Sequence, residues 1–195
     1  MSNQIDFYFD IISPFSFIAH KKIQKIIQNK KVLFNYKPIL LGGLHKLAEI
    51  DAPAFNKYKI KILQSDCELV SEKNDISFNW NSKFPINSLY MMRGYLYLEE
   101  NLKKLYLDAF FNAYWRDNID LSNEIEITKI LKILNIDNKK FFEGISNQLI
   151  KDQLKELTAE AFKKELFGAP TFVANNKIFW GQDRLDYAVD EVSSN

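Results

Sequence analysis

The chain has 195 residues, 47% apolar and 26% charged, which excludes disordered, collagen-like and coiled-coil classes and leaves one compact domain with an insertion as the expectation. Twenty-six Lys and Arg against 25 Asp and Glu give a net charge of +1, a balance that argues against a surface built for nucleic-acid phosphates or anionic lipid. Cys67 is the only cysteine, so no intramolecular disulfide, C-x-x-C pair or multi-cysteine zinc site can form; no metal is expected, and a reducing, cytoplasmic home is.

Ile5, Phe7, Phe9 and Ile11 alternate with Asp6, Tyr8 and Asp10, which predicts a half-buried strand over 4–11. The two acids also break the apolar N-terminus where a signal peptide needs an unbroken core, and no run approaches the ~18 apolar residues of a membrane span. Ser13-Pro14 then predicts a helix start, because proline at the first helical position gives up only an amide that would have no intrahelical partner. That helix covers 14–29, with Ile18, Ile23, Ile26 and Ile27 as its apolar stripe and Lys21, Lys22, Lys25, Lys30 and Lys31 read as a solvated face. Val32 to Lys37 reads as a second strand ended by Pro38, parallel to the first through the intervening helix.

From Leu44 to Leu166 the spacing is helical, as in Leu63/Leu69/Val70, Leu89/Met92/Leu96, Ile127/Ile130/Leu131/Leu134 and Leu149/Leu154/Leu157. Asn74 to Pro85, carrying Trp80, has no period and reads as a loop, while the aromatic run from Tyr106 to Trp115 reads as core or subunit contact. Two short strands, 171–174 and 177–180, flank Asn175-Asn176, a pair that tolerates the positive φ of a hairpin turn, and a last helix spans about 183–192. The expected division is therefore an α/β unit formed by 1–43 and 167–195, interrupted by a helical insertion, 44–166.

Five motifs follow this order: F-Y-F-D-x-x-S-P-F-S (7–16), Y-x-P-x-L-L-G-G (36–43), F-P-x-N-S-L (84–89), F-G-A-P-T-F (167–172) and F-W-G-Q-D-R-L (179–185). Together they resemble the 2-hydroxychromene-2-carboxylate isomerases and the related kappa-class glutathione transferases, which have α/β thioredoxin-like folds of the DsbA type with an all-helical insertion. Where that superfamily carries C-P-x-C, this chain has Ser13-Pro14-Phe15-Ser16.

The resemblance implies that glutathione is the cofactor, that Ser13 stabilises its thiolate, and that its backbone pairs with Ala169 ahead of a cis Pro170. It further implies that Trp180, Gly181, Gln182 and Asp183 grip the γ-glutamyl end, and that the protein is a homodimer. His45, Phe55, Asn56 and Trp80 are the implied contacts of a small aromatic carboxylate or electrophile. A lysine is expected at the position of His45, and a histidine of pKa ~6.5 holds a carboxylate less firmly at neutral pH. In the implied isomerase scheme the thiolate adds to the conjugated substrate, the chromene ring opens, a bond rotates and glutathione leaves unchanged.

A thiol of pKa ~8.5 is a few per cent ionised at pH 7, so lowering it by ~1–2 units requires ~1.4–2.7 kcal/mol. A helix N-terminus contributes ~0.3–1 kcal/mol, up to ~2 when partly buried, so a hydroxyl hydrogen bond worth ~1.5–3 with a charged partner would supply the remainder. Ser13 alone reads as an N-cap, Pro170 as a trans proline opening a strand, Trp180 as a core aromatic, Asp183 as a helix cap and His45 as a loop residue; these readings stay open beside the functional ones. His20 lies ~10 Å beyond Ser13 at ~1.5 Å rise per residue, which leaves a serine–histidine pair unsupported. Three functions remain: a glutathione-dependent isomerase, a kappa-like transferase or peroxidase, and a non-catalytic thioredoxin-fold binding module.

Overall fold

The computed structural model describes residues 3–29 and 32–193. Strand β1 (Gln4–Phe9) runs in the middle of a four-stranded sheet ordered β2-β1-β3-β4. β2 (Leu33–Pro38) pairs with it in parallel, Gln4 opposite Leu33 and Phe9 opposite Pro38. β3 (Thr171–Ala174) pairs antiparallel on the other side, with Tyr8 opposite Thr171, and β4 (Lys177–Trp180) completes a hairpin with β3. Strands from the early and late parts of the chain thus lie in one sheet, and Asn175 and Asn176 turn the hairpin at φ 47° and 63° as their type allows.

Ile5, Phe7 and Phe9 are fully buried on one face, where Phe7 stacks on Phe172 and Phe9 meets Tyr95 and Phe111. Tyr8 is also buried, with Ile39, Leu44, Ala161 and Leu166 in a second cluster on the opposite face. β1 is consequently covered on both sides rather than half-buried. The residues expected to continue it, Asp10 and Ile11, instead turn the chain, because the Asp10 side chain accepts from the Ile12 amide and the Asp10 carbonyl from the Ser13 amide. β2 begins one residue later than expected and includes Pro38, whose missing N–H costs the ladder nothing because Ile39 donates to the Phe9 carbonyl.

Helix α1 (Pro14–Asn29) has the expected bounds. Its stripe is narrower than the spacing implies, since Ile27 is exposed, and its lysine face is not simply solvated. Lys21 Nζ lies 2.6 Å from Asp108 Oδ1, Lys22 donates to the Gln182 carbonyl, and Lys25 to that of Asn74. Lys30 and Lys31 lie outside the described residues.

Helices α2 (Leu41–Leu47), α3 (Lys59–Lys73), α4 (Leu89–Tyr97), α5 (Glu100–Trp115), α6 (Glu124–Ile133), α7 (Asn138–Ile145) and α8 (Gln148–Lys163) follow. α2 opens at Leu41, inside the segment assigned to the α/β unit. Asn123, Asp137 and Asn147 cap α6, α7 and α8 by accepting first-turn amides. The loop carrying Trp80 contains no helix or strand and has a cis Phe84–Pro85 bond that the sequence reading did not anticipate. Tyr106, Phe110, Phe111, Tyr114 and Trp115 of α5 are fully buried and join the sheet's core, so the aromatic run is core. The closing segment starts as a 3-10 turn over Gln182–Arg184 before α9 (Leu185–Ser193).

Candidate active site

At the mouth of α1 the Ser13 hydroxyl has two partners. Its Oγ accepts from the Ser16 amide at 3.1 Å, the N-cap bond expected of serine before proline, and its proton goes to the Ala169 carbonyl at 2.9 Å. The residue is 4% exposed. Ala169–Pro170 is a cis bond, as the resemblance implies. The Ala169 amide has no hydrogen-bond partner among the described residues, and its residue is only partly buried. A donor and an acceptor of one residue therefore stand beside the helix mouth like the edge of a sheet, the acceptor held only by Ser13. Ser16, at the position of a second sulfur, is buried with its hydroxyl unpartnered among the described residues, so it does not present itself at this mouth.

The loop from 10 to 13 is fixed from below by residues far away in sequence. Asp10 is fully buried, and its carboxylate accepts from Leu41 N at 2.8 Å, Ser88 Oγ at 3.0 Å and Ile12 N at 3.1 Å. Burial raises its pKa to about 6 against these hydrogen bonds, which act to lower it. Trp115 Nε1 donates to the Ile11 carbonyl at 2.8 Å, and the Ile11 amide points at the Met92 sulfur at 3.4 Å. Helices α2, α4 and α5 and the turn before α4 thus hold the loop that presents Ser13. Asp10 and Trp115 escaped the sequence reading as site residues; an acid between Phe9 and Ile11 in an otherwise apolar run was the available signal.

Gly181 donates to the Pro170 carbonyl at 2.9 Å and adopts φ 103°, a conformation that favours glycine, so this turn adjoins the Ala169 edge. Trp180 is 55% exposed, not a core aromatic; its ring lies 4.8 Å from that of Phe167 and over Gly168, where a Cβ would come within 2.7 Å of its Nε1. Asp183 is exposed, paired with Arg184 at 3.0 Å, and caps no helix. Gln182 is buried, its side-chain oxygen 3.4 Å from Lys22 Nζ, so it holds α1 to this turn rather than reaching outward.

The implied substrate contacts are less tightly gathered. His45 sits one turn into α2, whose first amide is held by Asp10; it is half-buried, and burial lowers its pKa, which leaves it neutral at pH 7. Trp80 packs against Phe84 and Trp115, one ring removed from the Ser13 loop. Phe55 is 81% exposed, and Asn56 spends its side chain accepting from the Tyr58 and Lys59 amides at the start of α3. Among the described residues no hydrogen bond joins these two to Ser13.

The remaining nucleophiles and bases are placed elsewhere. Cys67 is fully buried in α3, and burial pushes its thiol pKa well up, so it supplies no thiolate. His20 is engaged with Tyr36 at 3.0 Å and Asp108 at 3.3 Å, away from Ser13. No group of three His, Cys, Asp or Glu able to hold a metal occurs among the described residues, and no helix there is long and apolar enough to cross a membrane.

The chain is similar to known proteins over nearly its whole length. The chain is 25% identical over 189 residues to the 2-hydroxychromene-2-carboxylate isomerase of Sphingobium xenophagum, covering 96% of each chain. It is 26% identical over 204 residues to glutathione S-transferase kappa 1 of Caenorhabditis elegans, covering 96% of this chain and 89% of the relative. A solved 2-hydroxychromene-2-carboxylate isomerase superposes with a TM-score of 0.89 at 25% identity over 98% of this chain and 95% of the other. With a helix mouth facing a cis-proline edge and a family model matched over residues 4–193, the chain belongs to the DSBA-like thioredoxin domain family.

Proposed function

We propose that this protein is a glutathione-dependent isomerase of the 2-hydroxychromene-2-carboxylate type, with Ser13 stabilising the glutathione thiolate. The observation that carries the reading is the Ser13 hydroxyl at the first turn of α1, 2.9 Å from the carbonyl of an Ala169 whose own amide is unpaired. The names of the isomerase and kappa relatives support it.

The residues present suit a thiol tripeptide. Ala169 offers one N–H and one C=O to an extended backbone, as in strand addition. The half-exposed Trp180 and the exposed Asp183 carboxylate suit a γ-glutamyl group carrying an ammonium, with Gly181, whose amide is held by the Pro170 carbonyl, setting the turn between them. Gln182, buried on Lys22, positions that turn and is withdrawn from the set of direct contacts. When bound, the tripeptide supplies a thiolate nucleophile. Ser13 and the first-turn amides of α1 favour its ionised form, and Asp10, Trp115 and Met92 keep the loop in register. On this division the 1–43 and 167–195 unit holds the thiol while the 44–166 insertion shapes the second site through His45 and Trp80, with Phe55 and Asn56 at its rim.

The proposal includes a cytoplasmic homodimer, carried by the resemblance alone. One observation favours a second reading. A neutral His45 is a weak anchor for a carboxylate, which suits a kappa-like transferase or peroxidase acting on an uncharged electrophile. A non-catalytic binding module is the third reading, and it requires Ser13→Ala to leave thiol binding and every activity unchanged.

Thiolate absorbance titration of the glutathione complex tests the proposal. Wild type is expected to lower the thiol pKa by ~1–2 units, and Ser13→Ala to return most of that shift. A bound thiol titrating as in free solution removes the mechanism. Product analysis with a chromene carboxylate separates the first two readings: turnover without loss of glutathione supports isomerisation, and stoichiometric loss supports transfer.

A further inference from the structure

A serine hydroxyl carries one proton. In this structure that proton is committed to the Ala169 carbonyl, while the oxygen accepts from Ser16. It cannot serve a thiolate until the Ala169 bond is given up, and giving it up without replacement leaves the carbonyl of a partly buried residue with no partner among the described residues.

The same residue shows how the replacement arises. The Ala169 amide is unpaired among the described residues, and residues paired across an antiparallel bridge exchange both N–H···O bonds at once. A peptide backbone that docks its C=O on the Ala169 amide brings its own N–H to the Ala169 carbonyl. We infer that the Ser13–Ala169 hydrogen bond is a donor-exchange latch: a thiol ligand's backbone N–H displaces the Ser13 proton from the Ala169 carbonyl, and only then does Ser13 donate to the ligand's sulfur.

This inference rests on the glutathione reading and sharpens it to a selectivity rule. Recognition of the ligand's backbone and activation of its sulfur meet at one acceptor, so a thiol without an amide N–H at that place is held without being activated. The Ser13 oxygen keeps its bond from Ser16 throughout, so α1 stays capped while the proton changes partner. The thiol's own proton leaves to solvent, and no other bond is made or broken. Asp10 is not paired with Ser13's hydroxyl, its carboxylate being held by Leu41, Ser88 and Ile12.

The experiment compares glutathione with its isosteric depsi analogue, in which an ester oxygen replaces the cysteinyl N–H, by thiolate absorbance at saturation. The latch predicts that glutathione's thiol acidity rises ~10–100-fold on binding and the analogue's by less than roughly twofold. A second measurement uses S-methylglutathione, a thioether whose uncharged sulfur is only a weak acceptor for the Ser13 proton. Because wild type must break the Ser13–Ala169 bond to bind it and Ser13→Ala has none to break, the variant is expected to bind it ~2–10-fold tighter, the reverse of its effect on glutathione. If glutathione itself shows no acidification, the functional reading falls and the latch with it. If both thiols are acidified equally, or Ser13→Ala binds the thioether no tighter, the latch alone is overturned. Should the analogue fail to reach saturation, the thioether measurement decides.

Discussion

Two polar centres lie along α1, and they are built on opposite rules. On its second and third turns, His20, Lys21 and Gln24 all converge on Asp108, with Tyr36 closing the other ring nitrogen of His20; Asp108 Oδ1 alone receives bonds of 2.6, 3.1 and 3.3 Å. These donors hold the Asp108 carboxyl far below the usual carboxylate range, led by the hydrogen bond from His20, while burial lowers the pKa of His20 itself. At the helix mouth, Ser13 and Ala169 share one hydrogen bond and leave an amide over. A saturated network fixes α1 against α5; a partly filled one leaves the amide that the proposed function gives to a ligand. Saturation, rather than the presence of a histidine or an acid, separates the scaffold from the proposed site.

The largest expected effect falls on Asp10, the saturated group beneath the mouth. Replacing it by alanine orphans the Leu41 and Ile12 amides and the Ser88 hydroxyl, for an expected loss of about 3 kcal/mol of stability in urea melts. Its titration adds a signature. The folded-state pKa of about 6 lies above the ordinary 3.8, so the folded chain holds the proton longer than the unfolded one. Stability from this group is full below the ordinary value and declines as pH rises to about 6, by about 3 kcal/mol for a shift of about two units. Asp10→Asn removes that dependence, so the stability gap between wild type and variant should narrow as pH rises from ~4 to ~7. A gap independent of pH would show that Asp10 ionises as freely as a surface acid.

Asp108→Ala comes next, at about 2 kcal/mol, because it strips a shared acceptor from the buried His20 and from Lys21 and Gln24, discounted for the partial exposure of Asp108. Its effect on turnover and on the thiolate titration should stay within roughly twofold once the variant is folded. A large kinetic effect at full folding would move this cluster from scaffold to site and break the contrast between the two centres.

Much of the frame that carries both centres was legible in the sequence. The alternation of Ile5, Phe7 and Phe9, the Ser13-Pro14 helix start and the Asn175-Asn176 turn are local signals, and each fixes backbone geometry within a few residues. The site is only partly local. Ser13 as a cap could be read directly, but its proton reaches a carbonyl 156 positions away, and the donors on Asp10 come from 31 and 78 positions away. No spacing rule reports such convergence. Lys21 and Lys22 misled for the same reason, since a lysine stripe looks alike whether it faces water or an acid on another helix. Trp180 misled in the opposite sense: by residue type alone it reads as a core aromatic, yet β4 is an edge strand and the ring stays more than half exposed.

Ser13→Ala is expected to cost only about 1 kcal/mol of stability, the worth of an N-cap, and Ser13→Gly a few tenths. Both should nonetheless abolish most of the thiolate shift. That disproportion is what distinguishes a working hydroxyl from a cap, because a residue that only capped α1 would lose stability and function together.

A similarly small stability effect belongs to Trp180→Ala. The ring is more than half exposed and touches chiefly Phe167 and the bare face of Gly168, so its removal uncovers little apolar surface and should cost less than about 1 kcal/mol, against ~3–5 for a buried aromatic. Glutathione binding, followed calorimetrically, should weaken by ~3–10-fold while the bound thiol keeps its lowered pKa, since the proposed function puts Trp180 at the γ-glutamyl end and Ser13 at the sulfur. A melt showing a core-sized loss would mean that the ring is structural after all. A thiolate shift that disappears with Trp180 would mean that grip and ionisation are not separable along the Ala169 edge.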